Sequence, residues 1–313
     1  MYRELSIFSG SANPKLAQEI CDYLNVPLRG MDIIDFPNEN IFIKLHRSVR
    51  GQDVYVIQSA CPPLNRNIME LLIIIDTLKR ASAEQITAVM PLYPYARSDK
   101  KDQPRVPITA RLIADLITVA GANRYMTIDL HAGQVQGFFS IPGDELTAFH
   151  ILSDYFLKKN IPNAVVVSPD LGFAKKARNF AEKLHVPLAV IEKRRKSSLR
   201  PEALNVIGDV RGKNAILVDD EVLTGGTIVE AVEVLKATGA DRIFASFTHA
   251  VLADPATERL RGLPLEEIVT TNTVTIPPEK RLPNMTVLSV APLLGEVIRR
   301  THLGISVGEM FNE

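Results

Sequence analysis

The segment at residues 215–227 constrains the fold most, because an apolar run leads directly into a polar, glycine-rich turn and then into a helix-like pattern. The run at 215–218 is short and wholly apolar, which is typical of a strand buried on both faces of a parallel sheet. Apolar residues recur at helical spacing from Ile228 onward, so a helix is predicted directly behind the turn. A buried parallel strand followed by a helix indicates an α/β fold.

The turn itself is rich in acidic, hydroxyl and glycine residues: Asp219, Asp220, Thr224, Gly225, Gly226 and Thr227. Ligands of open α/β sheets bind at the carboxyl ends of strands, and a helix N-terminus there attracts anions. The glycines let backbone N–H groups approach phosphate oxygens, the threonine hydroxyls add donors, and the carboxylates suit vicinal sugar hydroxyls. The turn is therefore a candidate site for a phosphorylated ribose. A plain turn with a capped helix is the alternative, but that needs only one Asp or Thr and one Gly.

Strand-like and helix-like runs alternate along the chain, which predicts repeated βαβ units. Strand-like runs lie at 5–8, 53–57, 86–90, 124–128, 164–167 and 188–191, and helix-like runs lie at 65–79, 108–120, 147–159 and 172–184. A chain of 313 residues is long enough for two domains, and Pro142 and Gly143 interrupt the pattern near 141–145. We expect two similar α/β domains, 1–145 and 146–313, each with a mainly parallel sheet flanked by helices.

The composition restricts the partners and the compartment. The 36 basic and 36 acidic side chains balance, so no general electrostatic field draws the chain to nucleic acid or to an anionic membrane. No apolar stretch approaches the roughly 20 residues that span a bilayer, and the N-terminus lacks the basic and apolar regions of a signal peptide. Cys21 and Cys61 lack the paired spacing of a zinc site or a disulfide framework. We expect a cytoplasmic protein with reduced cysteines.

Further motifs occur in a fixed order along the chain. They are, in chain order, Tyr95-Ala96-Arg97, Asp129-Leu130-His131-Ala132, Gln136-Gly137-Phe138-Phe139, Ser168-Pro169-Asp170, Lys193-Arg194-Arg195, the turn described above, Thr248-His249 and the run at 287–294. With these motifs the chain resembles the ribose-phosphate diphosphokinases, also called phosphoribosyl pyrophosphate synthetases, over essentially its full length. The resemblance implies two domains of the type I phosphoribosyltransferase kind. It also implies transfer of the diphosphoryl group of ATP to the C1 hydroxyl of ribose 5-phosphate, which gives phosphoribosyl diphosphate and AMP with Mg²⁺ as cofactor.

The same resemblance assigns roles to individual residues. It implies that Lys193 and Arg195 are catalytic and that His131 and Asp170 contact metal. It makes the first domain the nucleotide-binding one, with ATP contacts at Phe36, Asn38, Glu39, Asn40, Arg97, Ser98, Asp102 and His131. It makes the second domain the ribose 5-phosphate-binding one, with contacts at Arg195, Asp219, Asp220, Leu223, Thr224, Gly225, Gly226 and Thr227.

Considered without the resemblance, several of these residues have simpler interpretations. The basic cluster that contains Lys193 and Arg195 is also typical of a solvated loop. His131 is an unusual residue for Mg²⁺, which prefers oxygen ligands, so a contact through water or directly to a phosphate is equally sensible. It is also compatible with a structural histidine. The Ser-Pro-Asp string that ends at Asp170 is compatible with a simple turn.

Four residues depart from the usual pattern of the family: Asn40, Ser98, Phe173 and Leu223. They stand where glutamate, glutamine, glycine and aspartate, respectively, are common. A non-catalytic regulatory paralogue and a phosphoribosyltransferase are therefore kept as alternative functions.

The resemblance also implies an assembly and effectors. It implies a homo-oligomer, a hexamer built from dimers, in which the Phe36 region serves a neighbouring subunit. It further implies activation by inorganic phosphate and inhibition by ADP.

Overall fold

The computed structural model describes residues 4–194 and 203–310, which form two compact units. The first unit comprises the described residues of Met1–Thr147, Thr273–Thr275 and Ser289–Glu313. The second comprises those of Ala148–Asn272 and Ile276–Leu288. The chain thus crosses into the second unit close to the boundary expected from the sequence. The chain then returns to the first unit at Thr273–Thr275 and again from Ser289 onward. The expected division into 1–145 and 146–313 has no such return.

The first unit is built on a parallel sheet of five strands in the order β1-β4-β5-β6-β7. Its strands are β1 (Leu5–Ser9), β4 (Asp53–Ile57), β5 (Gln85–Met90), β6 (Arg124–Ile128) and β7 (Gly143–Leu146), and its helices include α1 (Pro14–Leu24), α2 (Leu64–Arg80) and α3 (Thr109–Ala120). Asn13 caps α1, because its side-chain oxygen accepts the Leu16 N–H at 3.2 Å, and Pro14 supplies a helix-compatible first residue.

An antiparallel hairpin stands apart from this sheet. It consists of β2 (Met31–Asp35) and β3 (Ile41–Leu45), and β3 packs against α2. The alternation of half-buried Met31 and Ile33 with exposed neighbours is typical of a strand with one covered face. The sequence motifs did not predict this hairpin as a pair of strands.

The second unit contains a sheet of seven strands in the order β10-β9-β8-β11-β12-β13-β14. The strands are β8 (Ala164–Ser168), β9 (Leu188–Arg194), β10 (Ala203–Ile207), β11 (Asn214–Val222), β12 (Ile243–Ala250), β13 (Leu265–Thr271) and β14 (Met285–Leu288). All neighbouring pairs are parallel except β9 and β10. The helices are α4 (Phe149–Lys159), α5 (Ala174–Leu184), α6 (Gly226–Thr238) and α7 (Ala256–Arg261). The predicted α/β class with mainly parallel sheets is confirmed.

Helix α8 (Ala291–Leu303) belongs to the first unit, where it packs against α1. Its apolar residues Leu294, Val297 and Ile298 are completely buried. This burial explains why the chain returns to the first unit, since an apolar helix face needs a covering partner. Within the described ranges, no helix has both the length and the hydropathy that a bilayer-spanning segment requires.

Candidate functional site

Strand β11 carries the acidic pair at its carboxyl end. It lies between β8 and β12, and Leu217 pairs with Val167 on one side and with Ala245 on the other. The sequence predicted that the strand ends near residue 218, but the structure extends it to Val222, because pairing with β12 continues through that residue. The acidic pair therefore lies on a strand rather than in a loop.

The two carboxyl groups of this pair lie in a strongly acidic environment. Asp220 is only 6% exposed, and its backbone N–H donates to Asp219 Oδ1 at 2.9 Å. Burial raises the pKa of Asp219 well above its usual range, and the charges of Asp220 and Asp170 raise it further. Asp219 therefore tends to keep its proton, and its ionised form is disfavoured unless a cation or a hydroxyl donor lies beside it.

The predicted phosphate cradle is shorter than the sequence pattern suggested, because α6 begins at Gly226. Gly226 and Thr227 therefore form its first turn, and only residues 223–225 separate the helix from β11. Gly225 caps the helix with φ +75°, a left-handed conformation that favours glycine. The unpaired N–H groups of this helix start favour an anion. A β-carbon built on Gly226 would lie 4.0 Å from its nearest neighbours, so the space beside the cradle is open.

Arg259 is a cradle residue that the sequence motifs did not identify. It lies on α7, and its Nη1 donates to the Thr224 carbonyl oxygen at 3.0 Å. The same Nη1 is one of the two atoms nearest to the open space at Gly226. Arg259 therefore fixes the backbone of the cradle and places a positive charge beside it. It follows the cradle by more than thirty positions in an unremarkable helix, so no local signal in the sequence pointed to it.

Asp170 reaches the same edge of the sheet from the neighbouring strand β8. Its exposed carboxylate accepts the Phe173 N–H at 2.9 Å, and its carbonyl oxygen accepts the Ser168 hydroxyl at 2.7 Å. The structure thus brings Asp170 and Asp219 close enough for one charge to raise the pKa of the other. Phe173 precedes α5 with φ −88°, so its backbone conformation does not require the glycine common in the family.

In the first unit, three of the predicted nucleotide contacts lie together. Arg97, Ser98 and Asp102 line a cavity of about 300 Å³, which Tyr95, Lys100, Val106 and Pro107 complete. The Ser98 hydroxyl accepts the Thr109 N–H at 3.2 Å, and the Ser98 carbonyl accepts the Ala110 N–H at 3.1 Å. Ser98 therefore fastens the start of α3 to the loop that forms the cavity.

His131 is exposed and follows β6 in the same unit. The loop before it is held by Glu145 of β7, whose carboxylate accepts the Leu130 N–H at 3.1 Å and contacts Gln136 Nε2. Asp129 begins the loop with φ +45°, so its backbone turns sharply away from the strand. No cluster of three or more His, Cys, Asp or Glu side chains that could hold a metal ion occurs among residues 4–194 and 203–310.

The predicted adenine contacts, residues 36–40, form the turn between β2 and β3. Phe36 N–H donates to the Asn40 carbonyl at 2.9 Å, and Glu39 N–H donates to the Phe36 carbonyl at 2.8 Å. Asn38 Oδ1 accepts the Asn40 N–H at 3.3 Å, which closes the turn further. The Phe36 ring is 47% exposed and lies 6.2 Å from the Phe42 ring. An aromatic surface is therefore available at this turn, and Phe42 adds a ring that the motifs did not include.

Of the two predicted catalytic residues, Lys193 lies near the end of β9. The sequence placed Lys193 in a loop, but β9 continues to Arg194, and Lys193 pairs with Leu204 of the antiparallel strand β10. Pairing with β10 therefore extends the strand beyond residue 191. Arg195 lies outside the described residues.

Comparison with known proteins gives a consistent result along the chain. A family model described as the N-terminal domain of ribose phosphate pyrophosphokinase matches residues 5–121, and one described as the phosphoribosyl synthetase-associated domain matches residues 199–312. The chain is 52% identical over 308 residues to the ribose-phosphate pyrophosphokinase of Caldanaerobacter subterraneus subsp. tengcongensis, with 98% of each chain covered. It is 50% identical over 309 residues to that of Synechococcus elongatus, with 98% of this chain and 93% of the relative covered.

A solved structure agrees with these relatives. The crystal structure of phosphoribosylpyrophosphate synthetase from Mycobacterium smegmatis matches with a TM-score of 0.92 at 45% identity, covering 96% of this chain and 100% of that chain.

The raised pKa of Asp219 predicts a specific pH dependence of stability. The folded chain holds the Asp219 proton to a higher pH than the unfolded chain, so this residue costs stability as the pH rises from about 4 through the folded pKa. Asp219→Asn removes that cost. We expect a higher unfolding temperature than wild type at pH 7, with the gain disappearing towards pH 4, in calorimetric scans across this range.

Asp209→Asn is the control of opposite sign, because a hydrogen bond from Lys213 lowers the pKa of Asp209. This control should give no gain at pH 7. An Asp219→Asn chain that is no more stable than wild type at pH 7 would contradict the account of the acidic pair.

The cradle geometry predicts a role for Arg259 in anion binding. Arg259→Met keeps the length of the side chain but removes the hydrogen bond to the Thr224 carbonyl and the positive charge. With ribose 5-phosphate as the test ligand, we expect the affinity to fall by about tenfold, since a hydrogen bond to a charged group contributes about 1.5 kcal/mol or more. Calorimetric titration measures this change. Arg261→Met on the same helix is the control, and an equal loss in both variants would indicate a general effect of charge instead.

Proposed function

Because this chain belongs to the ribose-phosphate pyrophosphokinase family, we propose that ATP is its diphosphoryl donor and the C1 hydroxyl of ribose 5-phosphate its acceptor. The chain is an enzyme, a transferase of nucleotide biosynthesis, and the resemblance found in its motifs is confirmed. The observation that carries the proposal is that the chain is 52% and 50% identical in sequence to two such enzymes, in each case over 98% of its length. This supports a catalytic function over a regulatory paralogue or a phosphoribosyltransferase.

Ribose 5-phosphate is proposed to bind at the carboxyl end of β11. The start of α6 and the Gly225 cap would hold the phosphate through backbone N–H groups, and Arg259 would add a fixed positive charge. The carboxylates of Asp219 and Asp220 would accept hydrogen bonds from the ribose hydroxyls, which offsets the cost of burying them side by side. Leu223 lies in the short connection without a carboxylate, so the acidic pair on β11 would carry these contacts.

ATP is proposed to bind through the first unit. The cavity lined by Arg97, Ser98 and Asp102 offers a cation and polar groups to the nucleotide, and His131 follows the neighbouring strand β6. The exposed ring of Phe36 would stack on the adenine, whose faces are apolar. Asn38, Glu39 and Asn40 supply polar groups in the same turn.

The proposed chemistry is an in-line displacement at the β-phosphorus of ATP. The C1 hydroxyl oxygen forms a bond to that phosphorus, the bond to the oxygen bridging the α-phosphate breaks, AMP leaves, and the hydroxyl proton is released. Negative charge grows on the leaving phosphate and on the equatorial oxygens, so cationic groups stabilise the transition state. Lys193 is proposed to act there as a compact point charge and Arg195 as a planar fork to two oxygens.

Mg²⁺ is the proposed cofactor, and the described residues offer it one carboxylate and one indirect contact. The part of the chain that the structure describes holds no cluster of three or more His, Cys, Asp or Glu side chains placed to ligate one ion. Mg²⁺ usually binds through one or two carboxylates together with substrate phosphates and water. Asp170, exposed beside the acidic pair, can supply such a carboxylate, and His131 a phosphate or water contact. When bound, the ion would neutralise phosphate charge.

The assembly and its regulation are proposals from the family. A homohexamer built from dimers, with the Phe36 turn of one subunit at the site of another, would use the exposed aromatic surface of that turn. Inorganic phosphate is the proposed activator, ADP the proposed inhibitor, and the cytoplasm the proposed location.

The first test is the reaction itself. Purified chain incubated with ATP, ribose 5-phosphate and Mg²⁺, with and without inorganic phosphate, should form AMP and phosphoribosyl diphosphate in equal amounts. A folded oligomer that forms neither product would favour the regulatory paralogue. Consumption of phosphoribosyl diphosphate with a nucleobase would favour the transferase.

Lys193→Ala tests the proposed catalytic charge. The variant should fold normally but turn over at least about a hundredfold more slowly, because the transition state loses a charge partner. Steady-state rates at saturating substrates measure the loss. Lys183→Ala, which removes a surface ion pair with Asp154 on α4, is the matched control and should keep the wild-type rate. Unchanged turnover of Lys193→Ala would remove this residue from the mechanism.

A further inference from the structure

A charged network in the first unit ties the turn at 36–40 to the main body of that unit. Its centre is Arg66 on α2, whose Nη2 donates to both carboxylate oxygens of Asp35 at 2.9 and 2.8 Å. The Nη1 of the same guanidinium donates to Glu70 Oε2 at 2.6 Å and to the Ser11 hydroxyl at 2.7 Å. One side chain therefore joins the hairpin, α2 and the loop after β1.

The anchor of this network is a wholly buried carboxylate. Glu70 is 0% exposed, and besides Arg66 it accepts the Ser11 N–H at 2.6 Å and Gln58 Nε2 at 2.8 Å. A buried charge with this many hydrogen bonds is costly to disturb, so it holds the guanidinium in one orientation. The second half of the planar fork is thereby aimed at Asp35 in a fixed direction.

Asp35 is the last residue of β2 and directly precedes Phe36. It shares the face of the hairpin that Met31 and Ile33 turn towards the core, while Ile34 on the opposite face is exposed. The hydrogen bonds described within residues 36–40 join the turn to itself. Packing of β3 sets the hairpin against α2, and the Asp35 carboxylate adds a polar contact to α2 directly beside the turn.

We propose that Arg66 is a positioning residue that, through Asp35, orients the turn at 36–40 for binding the adenine of ATP. This inference rests on the proposed function, because it needs that turn to contact the nucleotide. The guanidinium is held at both ends, because Nη1 contacts buried Glu70 and Nη2 contacts Asp35, and this fixes both the distance and the direction of Asp35 from α2. The ordering of the turn is then complete before the nucleotide arrives, so binding does not bear that entropy cost. Arg66 itself does not touch the reacting atoms.

Asp35→Asn is the primary test, because it removes the negative charge and one of the two oxygens that accept from Arg66 Nη2, and it leaves the pairing of Arg66 with buried Glu70 intact. We expect KM for ATP to rise by about three- to tenfold, with kcat and KM for ribose 5-phosphate unchanged. The affinity for a non-hydrolysable ATP analogue should fall by the same factor. Arg66→Lys keeps the charge but has a single nitrogen, which cannot contact both Glu70 and Asp35, so it should behave like Asp35→Asn. Asp35→Glu keeps the carboxylate and should retain most of the affinity.

Asp32→Asn is the matched control on the same strand. Asp32 pairs with His46 at 2.7 Å, and its side chain is 47% exposed, against 54% for Asp35. This variant should keep the wild-type KM for ATP. An equal rise in both Asn variants, or a fall in kcat alone, would overturn the proposal, and so would a folded Asp35→Asn chain with unchanged analogue affinity.

A failure of the proposal for Arg66 can be told apart from a failure of the proposed reaction. A wild-type chain that makes no phosphoribosyl diphosphate would refute the proposed reaction. The analogue affinities of the same variants would still decide the role of Arg66, and a wild-type chain that does not bind the analogue would overturn both.

Discussion

Burial of β11 on both faces is the constraint on which the candidate site depends. Its apolar residues exclude water between β8 and β12, and pairing with β12 continues to Val222. Because the strand stays paired beyond its apolar part, Asp219 and Asp220 are carried into a poorly solvated position. The helix start that follows is held close behind them by a connection of three residues, 223–225. The N–H groups of the helix start and the two carboxylates are therefore held on one strand–helix pair, as the proposed ribose 5-phosphate site requires.

This arrangement places carboxyl groups that repel one another side by side at the site. Burial and two neighbouring carboxylates raise the pKa of Asp219, so the ionised residue destabilises the fold as the pH rises. Perturbed carboxyl groups at the edge of a parallel sheet are typical of functional sites, since a ligand can supply the missing hydrogen bonds or charge. Arg259 adds a positive charge beside the same cradle, where its guanidinium contacts the Thr224 carbonyl. The balance of these charges favours a ligand that is both an anion and a polyol.

The family departures become easier to interpret in three dimensions. The Ser98 hydroxyl accepts a hydrogen bond from the start of α3, and Phe173 has ordinary backbone geometry while its N–H donates to Asp170. Both residues therefore have structural roles that the chain can accommodate. Asn40 closes the hairpin turn through its backbone carbonyl, a contact that its side chain does not influence. These observations agree with a catalytic member of the family.

The sequence by itself determined the α/β class and the position of the acidic pair and glycine turn that form the candidate cradle, because these depend on local patterns of apolar, acidic and glycine residues. It also placed Asp170 and His131 at strand ends, where the structure has them. The tertiary structure alone decided the ends of β9 and β11, the return of α8 to the first unit, and the contacts of Arg259 and Arg66. Strand ends depend on which neighbour continues to pair, and the partners of an arginine depend on residues distant in sequence. Neither is encoded in a local motif, so only the folded chain brings Arg259 to Thr224 and Arg66 to Asp35.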